Sequence, residues 1–297
     1  MAERLEASIL TTFKPIDEKA VNAQLDEALK GFDRKIVVLD DDPTGVQTVH
    51  DISVYTDWSV DSMRKGFDEE NSMFFILTNS RGLTAPETTK AHREMAENIL
   101  QVAKETGKKF VVISRSDSPL RGHYPLEPEI LKDVIESGSD QKIDGEIIYP
   151  FFKEGGRFTI GNVHYVQEGD VLVPAGETEF AKDKSFGYKA SHLGEWCEEK
   201  SGGKYKAGDV TFISLEDLRN LEIDKIADQL MQVKDFNKIV VNSIDYADVK
   251  VFAIALVKAM NQGKNFIFRS AAAITKVLGG VTDKPILSHD ELILTEN

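Results

Sequence analysis

KIVVLDDDPTGVQT, residues 35 to 48, decides the reading of this chain. Ile36 to Leu39 is a short β-branched and apolar run, the composition of a buried strand, and Asp40, Asp41 and Asp42 arrive where that strand must end. A single carboxylate suffices for an Asx-turn or a helix cap ahead of Pro43, Thr44 and Gly45. Three adjacent like charges repel one another, so their presence argues for chemistry at this strand end.

Outward from this run, further strand-like stretches begin at Asp51 (DISVYT), Met73 (MFFILTNS), Phe110 (FVVISRSD), Glu146 (EIIYPFF), Thr211 (TFISL), Lys238 (KIVVNSID) and Asn265 (NFIFRS). Amphipathic segments alternate with them, which predicts an α/β fold of three layers, a mostly parallel sheet with helices on both faces. A helix is expected over Pro86–Thr106, with Thr84 as N-cap and Gly107 at its end. Others are expected over Tyr188–Lys200, Leu215–Val233 and Tyr246–Met260, the last closing at Gly263. Residues 154–184 alternate Gly, Thr and Val and predict a β-rich hairpin insertion. The expected organisation is a leading helical segment over 1–34, an α/β domain over 35–278, and a linker over 279–297.

Composition narrows the function. The chain has 297 residues, 50 acidic against 36 basic, for a formal charge of −14. Such a surface argues against nucleic acid or an anionic membrane as the main partner, while clustered arginines still allow a small anionic ligand. Cys197 is the only cysteine in the sequence, so neither a disulfide framework nor a cysteine metal site is expected. No run approaches the ~18 apolar residues of a membrane span, and MAERLEASIL lacks a signal pattern, so a cytoplasmic location is expected.

In open α/β sheets ligands bind beyond the carboxyl ends of the strands. Those ends carry Asp40, Asp41 and Asp42; Asn79, Ser80 and Arg81; the run Ser114, Arg115, Ser116, Asp117, Ser118, Arg121 and His123; and Arg269 with Ser270. Two arginines, an aspartate and three serines within eight residues suit an anion clamp beside a base better than the alternative, a surface loop with an Asp117–Arg121 i,i+4 pair. Gly155 and Gly156 before Arg157 form either a simple hairpin turn or a backbone that lets an arginine reach a ligand. For Asn79, Ser80 and Arg81, capping of the next helix is nearly as good a reading as substrate contact. His123 and His164 read more simply as structural. The chain lacks a GxxxxGK[ST] loop, a GxGxxG fingerprint after its first strand, a GxSxG elbow and an HExxH helix.

DDDPTGVQTVHDI, ILTNSRGL, SRSDSPLRGHYPLEPE, PFFKEGGRFT through VHYV to TEFAKDKSFGY, VNSIDYAD and FIFRSAAAITKV, in this order from about Lys35 to Lys276, together resemble the N-terminal half of the four-carbon acid sugar kinase family. The resemblance implies ATP-dependent phosphorylation of threonate, erythronate or a 3-oxo analogue at the terminal hydroxyl. It implies Mg²⁺, a sugar-acid-binding α/β domain here, and a nucleotide site mostly in a C-terminal domain. The sequence stops at SHDELILTEN, close to where that domain would begin, so the expectation is a truncated form, a split-gene product or a remnant, acting with a partner chain; a homodimer is left open. Pro119 stands where many members have Thr after the Asp-Ser pair.

Phosphoryl transfer needs an oriented hydroxyl and neutralised charge. On the resemblance, Asp41, Asp42 and Asp117 are the catalytic candidates, and Asp40, Thr44, Ser80, Arg81, Ser114, Arg115, Ser118, Arg121, His123 and Arg157 the substrate-binding ones. Two other readings stay open. Asp40, Asp42 and Thr44 have the DxDxT spacing of haloacid dehalogenase-type phosphatases, with Thr78 or Ser80 after a second strand and Asp245 with Asp248 as a late acidic pair. A non-catalytic sugar-acid-binding module is the third.

Overall fold

The computed structural model describes residues 2–42 and 46–285. In chain order the strands are β1 (Leu5–Glu6), β2 (Arg34–Asp40), β3 (Val54–Tyr55), β4 (Met73–Leu77), β5 (Lys109–Arg115), β6 (Gly145–Tyr149), β7 (Arg157–Ile160), β8 (Val163–Glu168), β9 (Val171–Pro174), β10 (Thr211–Ile213), β11 (Asn237–Val241) and β12 (Phe266–Ser270). The helices are α1 (Glu18–Lys30), α2 (Val60–Asp68), α3 (Ala85–Thr106), α4 (Leu126–Gly138), α5 (Leu193–Lys200), α6 (Leu215–Arg219), α7 (Ile223–Gln232), α8 (Tyr246–Asn261) and α9 (Ala272–Leu278).

Eight strands form one sheet in the order β10-β11-β6-β12-β5-β2-β4-β3, every pairing parallel. Alternation along β2 builds the two cores. Ile36 and Val38 join α1, α7, α8 and α9 on one face, whereas Val37 and Leu39 join α2, α3 and α4 on the other. This is the expected α/β class.

Because all eight strands run the same way, their carboxyl ends share one edge. β2 lies between β5 and β4, with Asp40 in register with Arg115 on one side and Leu77 on the other. Ser270 on β12 is in register with both Arg115 and Tyr149. A second, antiparallel sheet in the order β1-β9-β8-β7 carries the β-rich insertion. A backbone bridge between Thr159 and Ser243 ties the insertion to the main domain.

The structure corrects three expectations. The leading segment is not only helical: Leu5 and Glu6 pair with Leu172 and Val171 at the edge of the insertion sheet, and two residues are too few to show a strand period. The span Leu215–Val233 is two helices, α6 and α7, broken where Leu221 adopts a left-handed φ of 57° without a Gly or Pro to mark it. The helix expected from Tyr188 begins at Leu193, because Glu199 Oε1 and Oε2 accept from the Lys189 and Ala190 amides and hold that stretch extended. The α3 reading is matched closely. Glu87 accepts from the Thr84 amide and hydroxyl, and Gly107 closes the helix at φ 68°.

Candidate functional site

At the carboxyl edge, the β2 aspartates meet arginines from three other places in the sequence. Asp40 pairs with Arg115 Nη1, its two oxygens at 3.2 and 3.3 Å. Asp41 lies between two guanidiniums, with Oδ2 3.2 Å from Arg269 Nη2 and Oδ1 3.3 Å from Arg81 Nη2. Asp42 accepts from Arg81 Nη1 at 3.2 Å, and the other arm of Arg81 donates to Ser116 Oγ. Opposite charges so interleaved relieve the repulsion that makes three neighbouring aspartates costly. Asp40 and Asp41 are buried, only 2% and 3% exposed, while the side chains of Asp42 and Asp117 are about a quarter exposed at 24% and 26%.

Burial raises Asp40 to about 7 against the opposing pull of Arg115. Asp41 is also raised, by burial first, with Arg269 and Arg81 acting against it and Glu127 with it.

Arg269 ties the site together. Fully buried, it donates through Nε to Pro119 O at 3.0 Å and through Nη1 to Ser114 Oγ at 3.0 Å and Glu127 Oε2 at 2.9 Å. Its Nη2 reaches Arg121 O at 2.5 Å as well as Asp41. The loop between β5 and α4 is thus folded around a side chain from β12. Glu127, on α4, also accepts from Ser80 Oγ at 2.5 Å and lies 3.7 Å from His92 Nε2. Burial works to raise Glu127, but His92, Arg269 and Ser80 outweigh it and hold it below the usual carboxylate range. Gly122, at φ 83°, is the close approach this packing requires, since a Cβ there would lie 2.7 Å from Arg269 Nη2 and 3.0 Å from Asp41 Oδ2.

The remaining arginines come from the loop and the insertion. Arg121 Nη1 pairs with Asp183 at 3.3 Å, and its Nη2 donates to Ser118 Oγ at 3.1 Å. Arg157 stands just after the turn closed by Gly156 N to Lys153 O, and its Nη1 donates to the Asp117 carbonyl. Arg115 Nε and Nη2 and Ser270 Oγ are buried without a hydrogen-bond partner among the described residues. Unused donors and acceptors converging on one edge are what a polar ligand would satisfy.

A family model described as the sugar-binding N-terminal domain matches residues 36–278. The chain belongs to the sugar-binding N-terminal domain family. That domain is the N-terminal half of the four-carbon acid sugar kinase family, as the motifs imply. Among solved structures, a domain of unknown function from Bordetella bronchiseptica, a domain-swapped dimer with bound citrate, superposes with a TM-score of 0.59 at 19% identity, over 83% of this chain and 56% of its own. A putative tRNA synthase from Salmonella typhimurium LT2 gives a TM-score of 0.59 at 15% identity, over 82% and 55%. A Haemophilus influenzae protein carrying the same domain of unknown function gives 0.54 at 17%, again over 82% and 55%. At these identities the likeness is one of fold, and this chain spans a little over half the length of those proteins. None of the curated proteins matches it.

The sugar-binding domain brings Asp40, Asp41, Asp42, Ser80, Arg81, Ser114, Arg115, Asp117, Ser118, Arg121 and Arg157 to one edge, and Arg115 Nη2 lies 3.9 Å from Asp117 Oδ1. Thr44 lies outside the described residues. His123 is engaged elsewhere, with Nε2 2.9 Å from Leu83 O and its ring against Phe186. The late acidic pair is a helix cap: Asp245 and Asp248 form the capping box of α8, and Asp248 Oδ1 is 2.6 Å from Arg219 Nε. Both members of the late acidic pair are thus engaged in closing the start of α8. Arg269 was legible in the sequence, with Ser270, as a polar group at the end of the apolar run FIFRS. Glu127 gave no signal, since an acidic residue in a first helical turn ordinarily marks only the helix start. No described helix is long and apolar enough to cross a membrane.

Proposed function

We propose that this domain binds a four-carbon sugar acid, of the threonate, erythronate or 3-oxo-tetronate type, as the substrate-holding part of a kinase acting at the terminal hydroxyl. The observation that carries this is the pairing of quarter-exposed Asp42 and Asp117 with guanidiniums at the shared strand edge. Arginines suit a carboxylate, and solvent-reaching aspartates suit a hydroxyl proton. Buried Asp40 and Asp41 serve instead to fix Arg115, Arg81 and Arg269. The citrate in the Bordetella neighbour supports a small hydroxy acid as ligand.

ATP and Mg²⁺ enter as co-substrate and counter-ion. Among the described residues no group of three or more His, Cys, Asp or Glu is placed to hold a metal ion, and Asp40, Asp41 and Asp42 are each engaged by a guanidinium. A resident cation does not fit that donor set, so the residues described here orient and neutralise the acid. A cytoplasmic location and a partner chain carrying the nucleotide site belong to the same reading.

Thermal denaturation tests it. Threonate or erythronate should raise the melting temperature while the uncharged polyol threitol does not. Asp42→Asn and Asp117→Asn should keep acid binding but abolish most turnover in a reconstituted kinase, general-base help being worth ~10²–10⁴-fold. Full turnover in both variants would end the assignment.

A further inference from the structure

The arginines at this edge are not equivalent, and the difference assigns the ligand's anionic group. Arg115 is neutralised by Asp40, Arg269 by Asp41 and Glu127, and Arg81 by Asp41 and Asp42. An anion approaching any of them competes with a carboxylate already in place. Arg157 differs. It is only 8% exposed, donates to the Asp117 carbonyl, and has no carboxylate of the described residues at ion-pair distance. A buried charge without a counter-ion is costly, and a docking carboxylate removes that cost.

The surroundings of Arg157 fit such a ligand. Its guanidinium lies 4.9 Å from the centroid of Phe180 and 6.0 Å from that of Phe152. The Arg121 guanidinium lies 5.3 Å from the same Phe180 ring. Arg121 is already paired with Asp183, so the charge over this ring that lacks an ion-pair partner is that of Arg157, and an anion docking on Arg157 also eases its repulsion with Arg121. Of the nearby titratable groups, Asp117 is the carboxylate whose charge favours the Arg157 guanidinium, acting from beyond ion-pair distance, while burial and then Arg157 lower His164 to about 3, leaving it neutral, and burial raises the Tyr188 hydroxyl to about 12. Asp117 stays at the rim and Asp183 is held by Arg121.

Phe180 is 36% exposed, a large apolar side chain that contributes little to the core. It and Asp183 come from one 3₁₀ turn, Glu179–Lys182 and its following residue, so a single turn of the insertion both stacks on Arg121 and pairs with it. The small pocket that Arg157 and Phe180 line together with Ser118, Leu120, His164 and Tyr188 has a volume of only about 10 Å³, too little to take an acid whole. An acid therefore approaches from the exposed side of the ring.

We infer that Arg157, with Arg121 beside it on Phe180, takes the carboxylate of the ligand, and that Phe180 determines which acids are accepted. This rests on the sugar-acid reading and assigns its carboxylate end to the insertion.

Titration calorimetry on the whole chain tests it, with threonate and citrate as ligands and threitol as the uncharged control. Arg157→Gln should weaken both acids roughly 10- to 100-fold and Phe180→Ala roughly 3- to 30-fold, with melting temperatures near wild type. Wild-type affinity retained in both variants overturns this inference alone; a wild-type chain that binds neither acid overturns the sugar-acid reading and this inference with it. Should Arg157→Gln fail to fold, Phe180→Trp keeps an aromatic ring beneath the guanidiniums and reports directly. Its emission should change saturably with citrate and not with threitol, and an unresponsive indole in a chain that binds citrate overturns the inference.

Discussion

Arg269 Nη1 and Glu127 Oε2 lie 2.9 Å apart, both fully buried, and join the last sheet strand to the helix that follows the arginine-rich loop. The same guanidinium holds Asp41 and the Pro119 and Arg121 carbonyls. Removing it strands two buried carboxylates together. Arg269→Met should therefore cost about 3–5 kcal/mol in urea unfolding. Arg269→Lys should recover only part of this, because an ammonium cannot reproduce the fork. A loss under about 1 kcal/mol for the Met variant would show that the network is not a structural tie.

Asp40 gives a pH signature. Its folded-state value of about 7 lies above the unfolded carboxylate value, so the folded protein holds a proton there that the unfolded chain has released. The stability contributed by that proton is present in full below about pH 4 and is lost as pH rises through about 7. Asp40→Asn removes the titration. Plotted between pH 4 and 7, wild-type stability should fall more steeply than that of the variant, by on the order of a few kcal/mol across the window. Equal slopes would contradict the shift.

Gly122 and Gly82 make a matched pair. At Gly122, φ is 83° and a Cβ would meet Arg269 and Asp41, whereas at Gly82 it would meet nothing within 4 Å. Gly122→Ala should lower stability by about 1–3 kcal/mol and weaken acid binding as Arg269 shifts. Gly82→Ala should stay within about 0.5 kcal/mol of wild type. Thermal melts of the two proteins side by side decide it.

Asp248 separates a structural acid from a chemical one. It is buried, caps α8 by accepting from the Ile244 and Asp245 amides, and pairs with Arg219. Asp248→Ala should cost about 2–4 kcal/mol while leaving threonate affinity of the folded fraction unchanged. Loss of phosphate-releasing activity in Asp248→Asn, at unchanged stability, would favour the phosphatase reading.

Much of the fold was legible because its signals are local. Runs such as IVVL before Asp40 and FIFRS before Ala271 have the length and branching of buried parallel strands, and Thr84 with Glu87 announces its helix directly. Where nothing local marks the event, the reading failed: Leu221 turns left-handed without a glycine, and Leu5 pairs with Leu172 across more than half the chain. The candidate site divides in the same way. Polar residues at strand ends could be collected from sequence, since a parallel sheet places all those ends together. Which charge neutralises which could not, because that depends on side chains brought together from β2, β5, β12, α4 and the insertion.

The sequence by itself determined the strand that delivers three aspartates, the edge at which they stand, and the family to which the motifs point, since these follow from periodicity, strand direction and ordered motifs. Tertiary structure alone decided that Asp40 and Asp41 are spent on holding arginines, that Glu127 and Arg269 lie beneath them, and that Arg157 is left without a carboxylate beside Phe180. The physical reason is that charge pairing inside a protein is set by distance and burial, and both arise only when strands remote in sequence become neighbours.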